Sequence, residues 1–523
     1  MSRLFLTLLL FIVALVHNNL SGQEDSQPNI VLFLVDDMGW QDTSVPFWNQ
    51  TTDFNRRYRT PNMERLTQRG MKFTNAYACA VCSPSRISLM TGLNAARHRV
   101  TDWTLNYIDD SEKKLATRGN GNLRVPQWNI NGLSPRKDIP LSVQARCLPA
   151  ILKDAGYRTI HVGKAHFGAL TTPAANPMAI GFDVNVAGHA PGGPASYYGK
   201  RNFSVNPKQP GANVWDIPGL EKYHGKDIFL TEALTLEATQ AIDQAVSDKK
   251  PFFLYMAHYA IHAPLQSDPR FVDHYSDLPP SEAAYASLIE GMDKSLGDLL
   301  DRVEHHGLSD QTIILFMSDN GGLSAHARAG PAHTHNRPLS SGKGSNHEGG
   351  IRVPMMVQWP GKTQSGSTCD DAVIIEDFFP TILEMAGINV PQQNGVVIDG
   401  VSFTRQLQGE SGLSRGRHLV WHYPNHWGPT GPGINFCSAI RKDNWKLIYY
   451  HDVLRAQGQY ELFNLTEDIG ETNNLANRFP NRVKELAQAL STKLVEYKAQ
   501  MPIVKATGET CPLPLEASNG QNE

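Results

Sequence analysis

Cys82-Ser83-Pro84-Ser85-Arg86 puts a thiol, two hydroxyls and a guanidinium within five residues. Ser83 suits a helix N-cap, Pro84 a first helical position and Gly92 a helix end, so a helix is expected to begin beside Cys82. The free N–H groups and dipole at such a start favour an anion. Four more polar clusters each follow a short apolar run. Ile30–Val35 ends in Asp36-Asp37, and Ile313–Met317 ends in Ser318-Asp319-Asn320-Gly321-Gly322. Thr159–Val162 runs into Gly163-Lys164-Ala165-His166, and Phe252–Ala257 into His258-Tyr259-Ala260-Ile261-His262. One strand-end acid is as readily a cap or a turn residue. Four such clusters make that reading poor, because ligands of open α/β sheets bind outside the carboxyl ends of the strands.

Asp36, Asp37, Asp319 and Asn320 offer three carboxylates and an amide oxygen. That is a hard-oxygen set suited to Ca²⁺ or Mg²⁺ rather than to zinc or copper. The glycines after Asn320 would let backbone approach closely. Cys79 and Cys82 form a CxxC, the pattern of a redox pair or half a zinc site, but no second CxxC, no histidine pair at zinc spacing and no thioredoxin-like pattern accompanies it. The six cysteines are scattered and do not form a disulfide scaffold. If Cys82 is consumed chemically, at least one of the remaining five is unpaired within the chain.

These residues need a frame. From Asn29 to about Gln358, apolar runs (those above and Val353–Gln358) alternate with stretches of helical spacing at Pro61–Arg69, Leu148–Ala155, Ile228–Ser247 and Ser281–His305. The alternation predicts an α/β fold with a large, mostly parallel sheet sandwiched by helices. After about Ser414, strand-like runs at Leu419–Tyr423, Ser438–Arg441, Trp445–His451 and Tyr460–Asn464 precede a helix at Arg482–Tyr497, predicting a smaller antiparallel sheet with one helix. The expected division is a main domain over 23–414, a C-terminal α+β subdomain over 415–504 and a loose tail over 505–523. Two long irregular segments, His98–Pro140 and Gly168–Gly225, hold Trp103, Tyr107, Trp128, Tyr197, Tyr198 and Trp215; loops of that length usually border a binding site.

Arg3, the apolar run Leu4–Val16 and the polar stretch His17–Gly22 describe a secretory signal peptide over 1–22, too short to span a bilayer. The protein is expected to be secreted or periplasmic, with no membrane anchor. A net charge of −3 supplies no basic field for nucleic acid, so an anionic substrate must be gripped by local cations. Asn49, Asn202 and Asn464 lie in N-glycosylation sequons.

Cys82 to Gly92 resembles the first signature of the type I sulfatase family, within the alkaline-phosphatase-like superfamily: C-x-P-S-R and then T-G, here with one extra residue before Thr91-Gly92. Gly156-Tyr157-Arg158-Thr159 with Gly163-Lys164-Ala165-His166 resembles its second signature. Gly342-Lys343-Gly344 before Glu348-Gly349-Gly350-Ile351-Arg352-Val353-Pro354 resembles its lysine segment. The resemblance spans about Pro28 to Pro360 plus Lys442–Asn474, and it implies hydrolysis of sulfate esters. A sulfatase-maturing enzyme such as the formylglycine-generating type would oxidise Cys82 to the aldehyde formylglycine (3-oxoalanine). One Ca²⁺ would bind Asp36, Asp37, Asp319, Asn320 and the modified Cys82. Arg86 would orient formylglycine, Lys164 and Lys343 would hold sulfate oxygens, His166 would act as base and His262 as acid. His262 is preferred to His258 because it sits in a family-like His-Ala-Pro. Ala165 and Phe167 depart from the family's usual Trp and Leu, so the wall there is expected to differ. Trp103, Trp128, Trp215 and the Trp421–Trp427 segment suggest stacking on a sulfated polysaccharide or oligosaccharide. The alternatives are a formylglycine-dependent phosphodiesterase or phosphonate hydrolase, and a non-catalytic glycan-binding relative.

Overall fold

The computed structural model describes residues 27–109, 119–389 and 397–520. The signal-peptide expectation lies outside them. Among the described residues, no helix is long and apolar enough to cross a membrane.

The main sheet contains β1 (Asn29–Val35), β2 (Met71–Phe73), β3 (Arg158–Gly163), β4 (Val184–Val186), β5 (Phe252–Ala257), β6 (Thr312–Ser318), β7 (Met355–Gln358) and β8 (Ser367–Cys369). Their spatial order is β8-β2-β7-β6-β1-β5-β3-β4. The five strands from β6 to β4 are parallel, whereas β7 runs antiparallel to both its neighbours. The expectation of a mostly parallel sheet holds, with β7 as the exception that apolar runs alone could not orient.

The continuous apolar runs reflect burial on both faces. Along β1, Ile30, Leu32 and Leu34 enter one core and Val31, Phe33 and Val35 the other, the period-two alternation of a strand. Helices α1 (Pro61–Arg69), α4 (Leu230–Ser247) and α5 (Pro280–His305) bury residues in the second core. Helices α2 (Cys82–Thr91), α3 (Leu148–Asp154) and α6 (Phe378–Met385) contribute to the first.

The second, four-stranded antiparallel sheet runs in chain order: β9 (His418–Tyr423), β10 (Cys437–Lys442), β11 (Trp445–Tyr450) and β12 (Tyr460–Asn464). One face is covered by α7 (Pro480–Glu496) through Val483, Leu486 and Leu490, and the other meets Tyr77 and Ile351 of the main body. The tail corrects the sequence expectation of a loose end. The Lys505 amide donates to the Asn122 carbonyl at 2.9 Å, Cys511 is buried, Tyr460 Oη donates to the Pro514 carbonyl at 2.6 Å, and α8 (Pro514–Gly520) closes the described chain. A polar, proline-containing composition hid these anchors, because each is a single long-range contact.

Candidate active site

Parallel register makes the first assembly. Val35 pairs with Ser318, Leu34 with Ala257, and Ala257 with Gly163, so the carboxyl ends of β6, β1, β5 and β3 lie side by side. Asp319, Asp36-Asp37 and Lys164 thereby come to one edge of the sheet. Asp37 takes a left-handed backbone (φ 61°), which turns the chain back so that its amide donates to Asp319 Oδ1 at 3.2 Å. Gly163 is required where it stands: a Cβ there would come within 1.9 Å of the Ala257 carbonyl. Gly321 allows a close approach too, but to Gly349 rather than to the site.

Helix α2 delivers Cys82. Val81, not Ser83, is the N-cap, and Cys82 is the first helical residue. Pro84 still falls in the first turn, where no intrahelical N–H is needed, so the proline signal fits a start two residues earlier. Ser83 Oγ instead accepts from the Thr104 amide at 3.1 Å. Gly92 ends the helix in the left-handed conformation, as its position suggests.

Cys82, Asp36 and Asp37 meet with their ligand atoms within 4.8 Å of one another. Around them stand cations on buried partners. Lys164 Nζ lies 2.6 Å from Asp36 Oδ2, and Lys343 Nζ lies 2.6 Å from Asp37 Oδ1. Arg86 bonds Asp319 Oδ2 through Nε at 2.9 Å and donates to the Lys164 carbonyl at 2.9 Å. Asn320 Nδ2 donates to Asp37 Oδ1 at 2.8 Å. Burial drives the Asp36 carboxyl well above the usual range, against the pull of Lys164. Burial acts on Asp37 too, yet Lys343, His262 and Lys164 together hold it below that range. Burial also raises the Cys82 thiol, only partly offset by Lys164 and Lys343, so an unmodified Cys82 is a poor nucleophile.

The histidines separate by place. His262 and His166 line a cavity of about 480 Å³ together with Cys82 and Lys343. His262 donates from Nδ1 to the Ala263 carbonyl at 2.7 Å, which leaves Nε2 facing the site, 3.9 Å from Asp37 Oδ2. His166 donates from Nε2 to the Thr104 carbonyl at 2.8 Å, and its Nδ1 is buried without a partner. His258 is fully buried, shares a hydrogen bond with Ser295 Oγ of α5 and packs on Phe33. Lys164 and Arg86 lie fully buried beneath the cavity.

Trp103, Trp215 and Trp427 line the cavity. Trp128 and Trp421 do not: both are core residues, and Trp421 Nε1 donates to the Ala78 carbonyl at 2.9 Å. Tyr197 is also buried, its hydroxyl donating to the Tyr259 carbonyl. Phe167 and Ala165 pack in the core, so the departure from the family pattern changes the packing beneath the site rather than its wall. Cys79 is buried with its amide on Ser85 Oγ, and burial pushes its thiol well above the usual range, opposite to the exposed, low-pKa thiol a redox CxxC needs.

Several site residues escaped the sequence reading. Gly192 and Gly193 press on the two catalytic candidates: a Cβ on the first would reach His166 at 2.3 Å, and one on the second His262 at 2.8 Å. The Pro191-Gly192-Gly193-Pro194 run within a long irregular segment was the available signal. Leu323 and His326, from the segment after β6, also line the cavity, and no local pattern marks them.

The sulfatase family model matches residues 28–388, and the model of the N-sulphoglucosamine sulphohydrolase C-terminal region matches 342–500. A sulfatase of Formosa agariphila is 28% identical, over 94% of this chain and 92% of its own. The N-acetylgalactosamine-6-sulfatase of Rattus norvegicus is 29% identical, over 89% and 83%. The solved structure of Ps i-CgsB in complex with k-i-k-neocarrahexaose aligns with a TM-score of 0.69 at 25% identity, covering 95% of this chain and 98% of that one. The chain belongs to the sulfatase family of the alkaline-phosphatase-like superfamily and is a sulfuric ester hydrolase.

Proposed function

We propose that this sulfatase is exported, carries formylglycine at position 82, holds one Ca²⁺ beside it, and removes sulfate from a sulfated polysaccharide or oligosaccharide. The observation that carries the reading is the meeting of Cys82 with Asp36 and Asp37 at a cavity lined by Lys343, His166 and His262.

The residues fit a calcium ion. Asp36 Oδ1, Asp37 Oδ2 and Asn320 Oδ1 are buried oxygens without a hydrogen-bond donor, a costly state for polar atoms unless a cation completes them. Asp319 has both oxygens engaged, by Arg86 and the Asp37 amide, and borders the cluster. Once present, Ca²⁺ would supply Lewis-acid stabilisation of sulfate oxygens, and hydrated formylglycine would supply a hydroxyl nucleophile.

The chain's own residues do the rest. Lys343 offers positive charge to the sulfate at the cavity wall, with Lys164 and Arg86 adding to the field from beneath. His166, fixed by Thr104, presents the Nδ1 lone pair as a proton acceptor. His262, fixed by Ala263, presents Nε2 to protonate the departing sugar oxygen. Burial and Lys343 push the His262 imidazole down to about 3 in the free site; an anionic sulfate ester beside it favours the protonated form. Trp103, Trp215 and Trp427 give the cavity amphipathic walls suited to sugar rings. The sugar reading draws support from the N-acetylgalactosamine-6-sulfatase relatives and the neocarrahexaose complex.

The test is a panel of sulfated galactose, N-acetylgalactosamine and glucosamine derivatives, carrageenan and chondroitin oligosaccharides, 4-nitrophenyl sulfate and 4-nitrophenyl phosphate. Protein from a host with the maturation enzyme should release sulfate from members of the sugar set. Preference for the phosphate ester would reverse the assignment of reaction class.

A further inference from the structure

His166 and His262 reach the cavity from different strands, His166 just past the end of β3 and His262 past the end of β5. One further segment touches both. After β4 the chain passes through Pro191-Gly192-Gly193-Pro194, buried throughout. A Cβ on Gly192 would stand 2.3 Å from His166 Cε1 and 2.5 Å from its Nδ1. One on Gly193 would stand 2.8 Å from His262 Nδ1 and 2.9 Å from its Cε1. Neither glycine has a left-handed backbone, so close approach rather than conformational freedom calls for it.

This strap is tied down on both sides. Before it, the His189 carbonyl accepts from the His166 amide at 3.3 Å, and Tyr259 Oη donates to the Ala187 carbonyl at 2.8 Å. After it, the Ala195 amide donates at 2.8 Å to the carbonyl of Trp215, a residue of the cavity wall. Gln266 Oε1 accepts from the Tyr197 amide at 2.8 Å. Tyr197 Oη lies 2.7 Å from the Tyr259 carbonyl and 2.8 Å from that of His262. Pro191 and Pro194 restrict the backbone between these ties. Most of the partners lie on the segments that carry the two histidines, so strap and histidines pack as one unit.

Each imidazole is thereby held twice. A hydrogen bond fixes one edge of the ring, His166 Nε2 to the Thr104 carbonyl and His262 Nδ1 to the Ala263 carbonyl. The glycine beside the ring limits its rotation about that bond. A methyl at 192 would press on Nδ1 of His166, the nitrogen that takes the proton. A methyl at 193 would press on Nδ1 of His262, whose bond to Ala263 keeps Nε2 turned to the departing sugar oxygen.

We infer that residues 191–194 form a positioning strap, in which Gly192 sets the imidazole of the proton acceptor and Gly193 that of the proton donor. This rests on the roles given to the two histidines above.

The experiment measures kcat and KM on 4-nitrophenyl, phenyl and 4-methoxyphenyl sulfate and on the sugar sulfate of the panel above that is turned over fastest. His262→Ala is the reference for loss of the proton donor. Gly193→Ala should reproduce its pattern, with kcat falling about ten- to a hundredfold on the sugar sulfate and progressively less as the leaving group improves. Tyr197→Phe, which deletes one hydroxyl and adds no clash, should shift the same way by about three- to tenfold. Gly192→Ala should lower kcat on every substrate by a similar factor, because the proton His166 takes comes from the nucleophile and not from the alcohol. Pro191→Ala, which loosens the strap without a clash, should do the same to a smaller degree. Gly188→Ala, whose Cβ would stand 2.7 Å from Cε1 of the buried His161, should lower thermal stability with no leaving-group dependence. If His262→Ala shows that dependence, its absence from Tyr197→Phe or from folded Gly193→Ala would overturn the strap while leaving the histidine roles intact. Its presence in Gly188→Ala, or undiminished kcat in Gly192→Ala or Pro191→Ala, would do so too. Equal loss by His262→Ala on all the substrates would overturn the role of His262 and the strap with it.

Discussion

Lys343 and Asp37 form a buried ion pair, Nζ to Oδ1 at 2.6 Å, on the same carboxylate oxygen that accepts from Asn320. The other oxygen of Asp37 has no donor. One carboxylate thus answers to a lysine of the cavity wall and still presents a free face to a metal ion.

Removing metal should therefore be felt in the fold as well as in turnover. Chelation is expected to lower the unfolding temperature and abolish activity, and Ca²⁺ should restore both. At about a hundredfold excess over Kd, a bound ion adds roughly 2.7 kcal/mol. Asp36→Ala should remove the calcium-dependent shift in calorimetry. Metal-free enzyme with full activity and an unchanged transition would refute the ligand assignment.

Lys343→Met should destabilise the metal-free protein, because it leaves Asp37 buried without its cation; breaking such pairs costs about 3–5 kcal/mol. Saturating Ca²⁺ should recover part of that loss, and denaturant titration with and without the ion measures it.

Modification of Cys82 can be read on the tryptic peptide Phe73–Arg86, which also contains Cys79. Active enzyme should show one alkylatable cysteine, at 79, and an aldehyde at 82. An active preparation alkylated fully at both positions would end the formylglycine reading.

His262→Ala should cost about 10²–10⁴-fold on a sugar sulfate, whose alkoxide needs a proton on leaving, and far less on 4-nitrophenyl sulfate. His258→Ala should lower thermal stability, since it empties a buried site between Phe33 and Ser295, without dependence on the leaving group. Equal loss by His262→Ala on both substrates would assign it to binding instead.

His347, which caps the short helix Glu348–Ile351 of the main body, bonds Glu461 of the second sheet at 3.0 Å and lies 3.3 Å from Glu471, with Lys446 bridging Glu471 and Glu348 beside it. Burial alone would lower this imidazole; Glu471 and Glu461 outweigh it and raise it to about 9. A raised histidine stabilises fully below its ordinary value of 6.5 and loses that contribution as pH rises through about 9. Unfolding temperature should fall across that interval, and His347→Gln should flatten the fall.

Much of this was written locally. The runs Ile30–Val35 and Phe252–Ala257 could only be strands buried on both faces, and the acids and histidines at their ends had to share one edge once the strands were parallel. Pro84 and Gly92 bounded the helix behind Cys82, and the spacing around Cys82 and Arg86 identified the family. Short-range sterics and hydrophobic period act within a few residues, so the chain displays them directly. Tertiary structure decided what depends on where a side chain points. Trp103 and Trp427 flank the cleft while Trp128 packs into the core, although all three are tryptophans in polar surroundings of sequence. His262 reaches the cavity and His258, four residues earlier, turns into the sheet. The tail docks because Lys505, Cys511 and Pro514 each find a distant partner. None of these choices has a local signature, because each is set by contacts between segments far apart along the chain, and only the folded packing brings those contacts into being.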